Sequence, residues 1–253
     1  RLMRHVFSML AATALCGASA AIAQDFTGYI GFDLGPDAQE AHDDTGYDES
    51  GPGGWVAAYG RLGVDLADDI TAQFDAWLRR GEGEIDTPGA PYTWQQLQGG
   101  VAGHLTYRSG NFLGGVAGSL GFYNGNNNWK STFGTVALEG GFDDEQFAVI
   151  GQVGYTGALS GNAKDLNHEI VFAALDAAYY LTPDLSVSGQ LSFSRFTSVG
   201  DEMNDKDVTA LVAGVEYKLP DTPLILTGQY MIEHYDYVNY TDNFYALNQR
   251  VTV

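Results

Sequence analysis

The stretch LSVSGQLSFSRF, residues 185–196, alternates apolar and polar side chains with a period of two. Leu185, Val187, Leu191 and Phe193 share one face, and a row of serines shares the other. Successive side chains of a β-strand point to opposite faces, so the pattern predicts a strand with one apolar side. That apolar side could meet a protein core, as in a sandwich, or lipid, as in a membrane barrel.

The N-terminal residues predict export from the cytoplasm. RLMRHVFSMLAATALCGASAAIA, residues 1–23, has a basic start, a short apolar run and a small-residue A-x-A ending. These are the features of a secretory signal peptide. The mature chain would then be residues 24–253, which contain no cysteine. Without disulfides, such a chain needs a large core or a membrane to hold its structure.

The composition of the mature chain excludes two classes of protein. Loss of the signal peptide leaves 10 basic against 32 acidic residues, a net charge of −22. A chain this acidic repels phosphate groups, so nucleic acid is not an expected partner. No later segment approaches eighteen consecutive apolar residues, so a membrane-spanning helix is not expected either.

Twelve alternating segments follow the signal peptide, most of them ten to fourteen residues long. They cover residues 26–34, 54–66, 70–80, 94–108, 112–123, 131–142, 146–157, 168–181, 185–196, 207–219, 223–235 and 244–253. Strands of soluble proteins usually have about five or six residues, whereas strands that cross a membrane need about nine to eleven. The lengths favour a membrane barrel.

The connections between these segments alternate in length. The short ones are residues 67–69, 109–111, 143–145, 182–184 and 220–222. The long ones are residues 35–53, 81–93, 124–130, 158–167, 197–206 and 236–243. Short periplasmic turns alternating with long outer loops are typical of an up-and-down barrel in an outer membrane. A Greek-key sandwich would mix its connection lengths.

Aromatic residues on the apolar faces fall at two levels. One group lies close to the short turns: Tyr107, Phe112, Phe142, Phe147, Tyr179 and Tyr217. The other lies toward the opposite strand ends: Phe122, Tyr155, Phe193 and Tyr230. Ten residues of strand tilted by about 40° rise roughly 25 Å, the height of the apolar band between two aromatic girdles. The placement predicts such a pair of girdles.

Residues 24–253 resemble the Gram-negative outer-membrane β-barrels, most nearly the small porin-like proteins of alphaproteobacterial type. The resemblance rests on the signal ending AIA-QD, on strands such as LQGGVAGHLTY and FAVIGQVGY, and on the loop alternation. It implies an all-β, transmembrane, antiparallel up-and-down barrel of about twelve strands, with ten to fourteen as the range. Members usually end on an aromatic residue, whereas this sequence stops at Val253. Either the chain is truncated by a few residues, which we expect, or its insertion signal is atypical.

The polar faces of the strands hold almost every charged residue within a strand, seven acids and five bases. Six of the charged or titratable residues on these faces are candidates for a constriction between the short turns and mid-height: Arg61, Asp75, His104, Glu139, Asp176 and Arg250. The same residues could instead form interior ion pairs that stiffen the wall and obstruct the pore. Twelve strands predict a narrow lumen, and the excess of acids predicts a preference for cations.

The sequence leaves three functions open. The first is passive diffusion of small solutes or ions through this lumen. The second is a non-conducting structural or surface-interaction barrel whose acidic loops bind lipopolysaccharide or partners. The first long loop carries six of the acids concerned: Asp37, Glu40, Asp43, Asp44, Asp48 and Glu49. We expect a solvated acidic surface there and no cofactor, because the spacing matches no EF-hand loop. Divalent cations bound to the clustered carboxylates are the alternative.

The third function is hydrolysis at the outer rim. His168 is the rim candidate, with Glu169 beside it and Asp165 in the preceding loop. No serine motif or paired-carboxylate spacing accompanies these residues, and a P-loop, a dinucleotide fingerprint and a zinc-finger spacing are absent from the sequence. We therefore expect no enzymatic activity.

Overall fold

A computed structural model describes the chain from residue 26 to residue 252, with internal gaps. Residues 1–25, 44–47, 87–90, 127–128, 145, 166–167, 199–204, 221, 223, 238–243 and 253 are outside the described part. For residues 26–27, 37, 39–43, 48–49, 85, 92, 165, 237 and 244–252 only the backbone is described. The predicted signal peptide, residues 1–23, thus lies outside the described residues.

Twelve antiparallel strands form one closed barrel, in which each strand pairs with its neighbours in sequence and β1 also pairs with β12. The strands are β1 (Phe26–Asp43), β2 (Asp48–Ala67), β3 (Ile70–Ile85), β4 (Tyr92–Ser109), β5 (Phe112–Asn124), β6 (Lys130–Asp143), β7 (Phe147–Gly161), β8 (His168–Thr182), β9 (Leu185–Ser198), β10 (Lys206–Lys218), β11 (Ile225–Tyr237) and β12 (Phe244–Thr252). One short helix, α1 (Asn162–Asp165), follows β7. The predicted up-and-down barrel of about twelve strands is confirmed.

No helix within the described residues is long and apolar enough to cross a membrane.

The first predicted long loop is wrong in its extent. Residues 35–43 and 48–53 belong to β1 and β2, which pair as far as His42 and Asp48. The segment has two prolines and four glycines, which are typical of a loop, but pairing with the neighbouring strand satisfies the backbone groups of its described residues. Below, the short-turn end is the end where β2 meets β3 and β4 meets β5, and the loop end is the opposite one.

The stagger of the strands follows from the register. Gly28 of β1 pairs with Leu62 of β2, and the same row of neighbours, followed once around the barrel, returns to β1 at His42. Positions 28 and 42 differ by 14 residues. With strands about 4.8 Å apart and a rise of about 3.3 Å per residue, this gives a tilt near 40° and a backbone radius of roughly 12 Å.

Side chains alternate between the two faces of this wall as the sequence predicts. Large apolar side chains point outward and are exposed, with Ile30 80% and Phe32 78% accessible. Positions between them point into the lumen and are buried or partly exposed. In β6, Val136 and Leu138 are exposed at 65% and 61%, whereas the intervening Ala137 is only partly exposed. The apolar surface therefore lies outside the barrel.

The outward aromatic residues lie in rows. Phe142 stacks on Phe147 with ring centroids 5.2 Å apart and meets Phe112 edge-on at 5.3 Å, which makes one continuous row near the short turns. Of the ten predicted girdle residues, Tyr155 and Tyr230 lie near the middle of their strands and not toward the loop ends, because β7 continues to Gly161 and β11 to Tyr237. The girdle role of these residues stays a prediction.

Replacing an outward residue by arginine tests where the lipid lies. Leu138→Arg places a charge near mid-height of the outer face, so the free energy of unfolding in lipid vesicles should fall by about 2–4 kcal/mol. Ala137→Arg, one position away, points into the lumen and should cost less. Urea unfolding followed by tryptophan fluorescence measures both. Equal losses for the two variants would contradict an apolar environment around the barrel.

Candidate functional site

A chain of polar contacts crosses one side of the lumen. Arg61 of β2 donates to Asp75 of β3 through its Nε at 2.7 Å. His104 of β4 places Nε2 3.2 Å from Asp75 Oδ2 and Nδ1 3.1 Å from Glu139 Oε2 of β6. Gln152 of β7 donates to Glu139 at 2.9 Å. An imidazolium, which donates from both ring nitrogens, fits between the two carboxylates. We name these five residues the polar belt.

Small inward residues on β5 let the polar belt continue past that strand. His104 and Glu139 lie on β4 and β6, so β5 runs between them. The β5 neighbour of His104 is Ala117, and the β5 neighbour of Glu139 is Gly115. A Cβ atom on Gly115 would lie 3.2 Å from Glu139 Oε1, closer than most such contacts. The contact between His104 and Glu139 therefore depends on the small residues of β5.

The stagger of the barrel brings most of the predicted constriction residues to one height. Because the strands are tilted, a row of paired residues rises along the barrel axis by about one residue length per strand. With this rise included, five of the six candidates lie within about 3 Å of one another along the axis: Arg61, Asp75, His104, Glu139 and Asp176.

Arg250 is not at this height, and that prediction is wrong. Its backbone is opposite Asp37 and Met231, in the loop-end half of the barrel. The misplacement arose because β12 pairs with the loop-end part of β1, which the register alone reveals. The Arg250 side chain is outside the described residues.

Asp176 and Glu216 occupy the other side of the lumen. Gln190 Nε2 donates to Asp176 Oδ1 at 2.9 Å, and Glu216 of β10 points inward between the serine-rich β9 and β11. Within the described residues, neither carboxylate forms an ion pair with a basic side chain. The Arg61–Asp75 and His104–Glu139 pairs balance their own charges when His104 is protonated. The uncompensated negative charge at this height and just below it therefore comes from β8 and β10.

A layer of large inward side chains fills the loop-end half of the lumen, beginning about 15 Å above the polar belt. We call it the outer layer. Its aromatic members are all less than a tenth exposed: Trp55, Trp94, Tyr123, Trp129, Phe133, Phe196 and Tyr235. Sequence reasoning did not single these residues out. Their parity is that of the polar face, so the alternation rule already contained the signal.

Cations of the outer layer rest on its aromatic rings. The guanidinium of Arg79 lies 4.3 Å from the ring centroid of Trp55. The ammonium of Lys206 lies 5.2 Å from the rings of both Phe196 and Tyr235. Attraction between a cation and an aromatic face is strongest where water is excluded, as it is here. The outer layer is thus tightly packed and combines aromatic and polar side chains.

The predicted rim site is divided between the two faces of the wall. His168 points inward, is 5% exposed, and hydrogen bonds through Nδ1 to the hydroxyl of Ser198. Glu169, the next residue, is exposed on the outward face. Because neighbouring strand residues point to opposite faces, Glu169 cannot assist His168. The Asp165 side chain lies outside the described residues.

The six predicted acidic-loop residues belong mainly to the β1–β2 hairpin. Asp44 lies outside the described residues, and for the other five only the strand backbone is described: Asp37, Glu40, Asp43, Asp48 and Glu49. Among the side chains that are described, no group of three or more histidine, cysteine or acidic residues could hold a metal ion.

Comparison with known proteins reveals similarity in structure. No family model and no curated protein matches the sequence. An outer membrane channel from Pseudomonas putida F1 matches with a TM-score of 0.61 and 14% identity over 93% of this chain and 97% of that one. The β domain of the Bordetella autotransporter BrkA matches with a TM-score of 0.50 and 12% identity over 88% of this chain and 98% of that one. The translocator domain of the autotransporter NalP from Neisseria meningitidis matches with a TM-score of 0.50 and 10% identity over 91% of this chain and 88% of that one. At such identities the likeness is one of fold: the chain has the fold of the Gram-negative outer-membrane β-barrels.

A double-mutant cycle tests the polar belt. His104→Ala leaves two carboxylates facing each other without the imidazole, so the free energy of unfolding should fall by about 1–3 kcal/mol. Combined with Glu139→Ala, the two changes should be non-additive by about 0.5–3 kcal/mol. The control cycle pairs His104→Ala with Asp176→Ala, at the same height but outside the belt, and should be additive. Equal coupling in both cycles would contradict the belt.

Proposed function

We propose that the protein is an outer-membrane channel for passive diffusion of small solutes or ions through a narrow lumen that prefers cations. The proposal rests on a closed barrel with an apolar exterior, and on an interior that carries ionisable groups at one height. A wall that existed only for stability would have no need of uncompensated carboxylates. Asp176 and Glu216 supply them, and this single observation carries the cation preference.

A channel of this kind would have a defined location and defined partners. The chain would reach the periplasm through its signal peptide and insert into the outer membrane, where its outward face meets lipid and lipopolysaccharide. Its narrower likeness to small porin-like proteins of alphaproteobacterial type is supported by the strand and loop pattern of the sequence. We propose no enzymatic activity and no cofactor, because His168 and Glu169 point to opposite faces of the wall.

Charge removal at Asp176 tests the cation preference. Asp176→Asn should lower the ratio of cation to anion permeability about twofold, since a unit charge about 8 Å from an ion in water-like surroundings changes its energy by about 0.5 kcal/mol. Reversal potentials in planar bilayers under a salt gradient measure the ratio. The matched control is Glu169→Gln, which removes an acid from the outward face of the same strand. If both variants shift the potential equally, or neither does, the lumen carboxylate does not set selectivity.

The outer layer favours a second candidate, a non-conducting structural barrel. Its aromatic side chains fill the lumen, and Glu233 and Lys206 within it are only 2% and 3% exposed. A barrel closed in this way would act through its surface, with lipopolysaccharide or a protein as partner. The polar belt would then serve to stiffen the wall.

Truncating two outer-layer rings separates the two candidates. Phe133→Ala combined with Phe196→Ala should raise single-channel conductance, because these buried rings help to fill the loop-end half of the lumen. Phe147→Ala, which removes an outward ring near the short turns, should leave conductance unchanged. Heat-modifiable gel mobility confirms folding of each variant. If the folded wild-type barrel carries no current, and the variant without both rings carries none either, the protein is the non-conducting structural barrel.

A further inference from the structure

Small inward residues form a layer between the polar belt and the outer layer. Six strands, β2 and β4 to β8, contribute one each at this height: Ala57, Gly100, Ser119, Ala137, Gly154 and Ala174. On most of these six strands larger inward side chains lie above and below this height, so this part of the wall borders a space in the lumen. This space, the middle chamber, opens toward the short-turn end past the polar belt.

Trp77 of β3 projects into the middle chamber, about 6 Å above the polar belt. Its indole lies across the neighbouring strands: a Cβ atom on Gly100 would be 2.6 Å from its Cζ2 atom, and one on Gly121 would be 3.8 Å away. The ring can lie along the wall only because β4 has no side chain at that point. Trp77 is partly exposed, in contrast to the buried rings of the outer layer.

Phe172 of β8 is held in the same way at another part of the wall. A Cβ atom on Gly154 of β7 would lie 2.4 Å from its Cζ atom, so the phenyl ring covers that glycine. Phe172 is also partly exposed and points inward. Two aromatic rings, each lying over a glycine, therefore border the middle chamber.

Charges around the middle chamber favour a positively charged occupant. Asp176 lies four residues, two periods of the alternation, from Phe172 toward the short-turn end, with Ala174 between them on the same face of β8. Its carboxylate hydrogen bonds to Gln190 and, within the described residues, pairs with no basic side chain. The nearest arginines are already engaged, Arg61 with Asp75 and Arg79 with the Trp55 ring.

Two cationic side chains of the protein already contact aromatic rings inside the lumen. Arg79 and Lys206 rest on aromatic faces at 4.3 and 5.2 Å. Among the described residues, no cation lies over Trp77 or Phe172. Aromatic faces near a carboxylate are the recognised environment for a quaternary ammonium group, whose charge is spread over methyl groups and weakly hydrated.

We infer that the middle chamber is a binding site for a small organic cation of the quaternary ammonium class, held between Trp77 and Phe172 with Asp176 as its counter-charge. This inference deepens the proposed channel function, since it names the class of solute that a cation-preferring lumen would retain. The cation enters from the short-turn end, because the outer layer closes the other side of the chamber.

Choline is the probe, titrated into the folded full chain in a detergent without ammonium groups and followed by calorimetry. Trp77→Leu and Phe172→Leu should each raise the dissociation constant about tenfold, the effect of losing one desolvated aromatic face. Trp77→Phe should retain most of the affinity. Gly100→Ala should weaken binding as well, because its methyl group would displace the indole. Tyr155→Leu, an outward ring, is the matched control and should change nothing.

A neutral analogue and a current measurement complete the test. 3,3-Dimethyl-1-butanol has the shape of choline without its charge and should not bind; binding as tight as that of choline would overturn a cation site. Choline should also reduce the potassium current through the wild-type barrel but not through Trp77→Leu. A barrel that binds choline through Trp77 yet carries no current would refute the channel and leave the site standing. A barrel that conducts, and responds to millimolar choline neither in current nor in heat, would refute the site.

Discussion

Closure of the backbone hydrogen-bond ladder is the constraint on which the rest of this protein depends. In lipid an unpaired N–H or C=O group costs several kcal/mol, so each strand must pair on both sides and the last must meet the first. Closure of twelve strands with a stagger of 14 residues sets the tilt and the radius. It thereby also decides which residues share a height, and Arg61, Asp75 and His104 meet for that reason.

Within that cylinder, small residues determine how far the inward side chains reach. Ala117 and Gly115 allow His104 to contact Glu139 across an intervening strand. Gly100 and Gly154 allow Trp77 and Phe172 to lie along the wall. Toward the loop end, larger side chains meet instead and fill the lumen. The barrel thus contains a charged half toward the short turns and a packed aromatic half toward the loops, with the middle chamber between them.

The alternation of side chains made the strands, their number and the outward apolar face predictable, because each depends only on local sequence. It failed where a local signal misled. Prolines and glycines in residues 35–53 suggested a loop, yet pairing extended both strands through most of it. Glu169 was grouped with His168 as a rim candidate because the two are adjacent, although adjacency in a strand places them on opposite faces. The inward parity of Trp55 and Phe133 is visible in the sequence, whereas their burial is not.

The sequence by itself determined that this chain forms a barrel with an apolar outside, since a two-residue period and the lengths of strands and connections are local properties. Only the tertiary structure decided which inward residues meet. Heights in a tilted barrel depend on the register of every strand pair, and one residue of slip shifts all later strands. For that reason Asp176 joins the level of the polar belt while Arg250, equally charged and equally inward in parity, lies far above it. The same summed stagger sets the small-residue chamber between the belt and the outer layer.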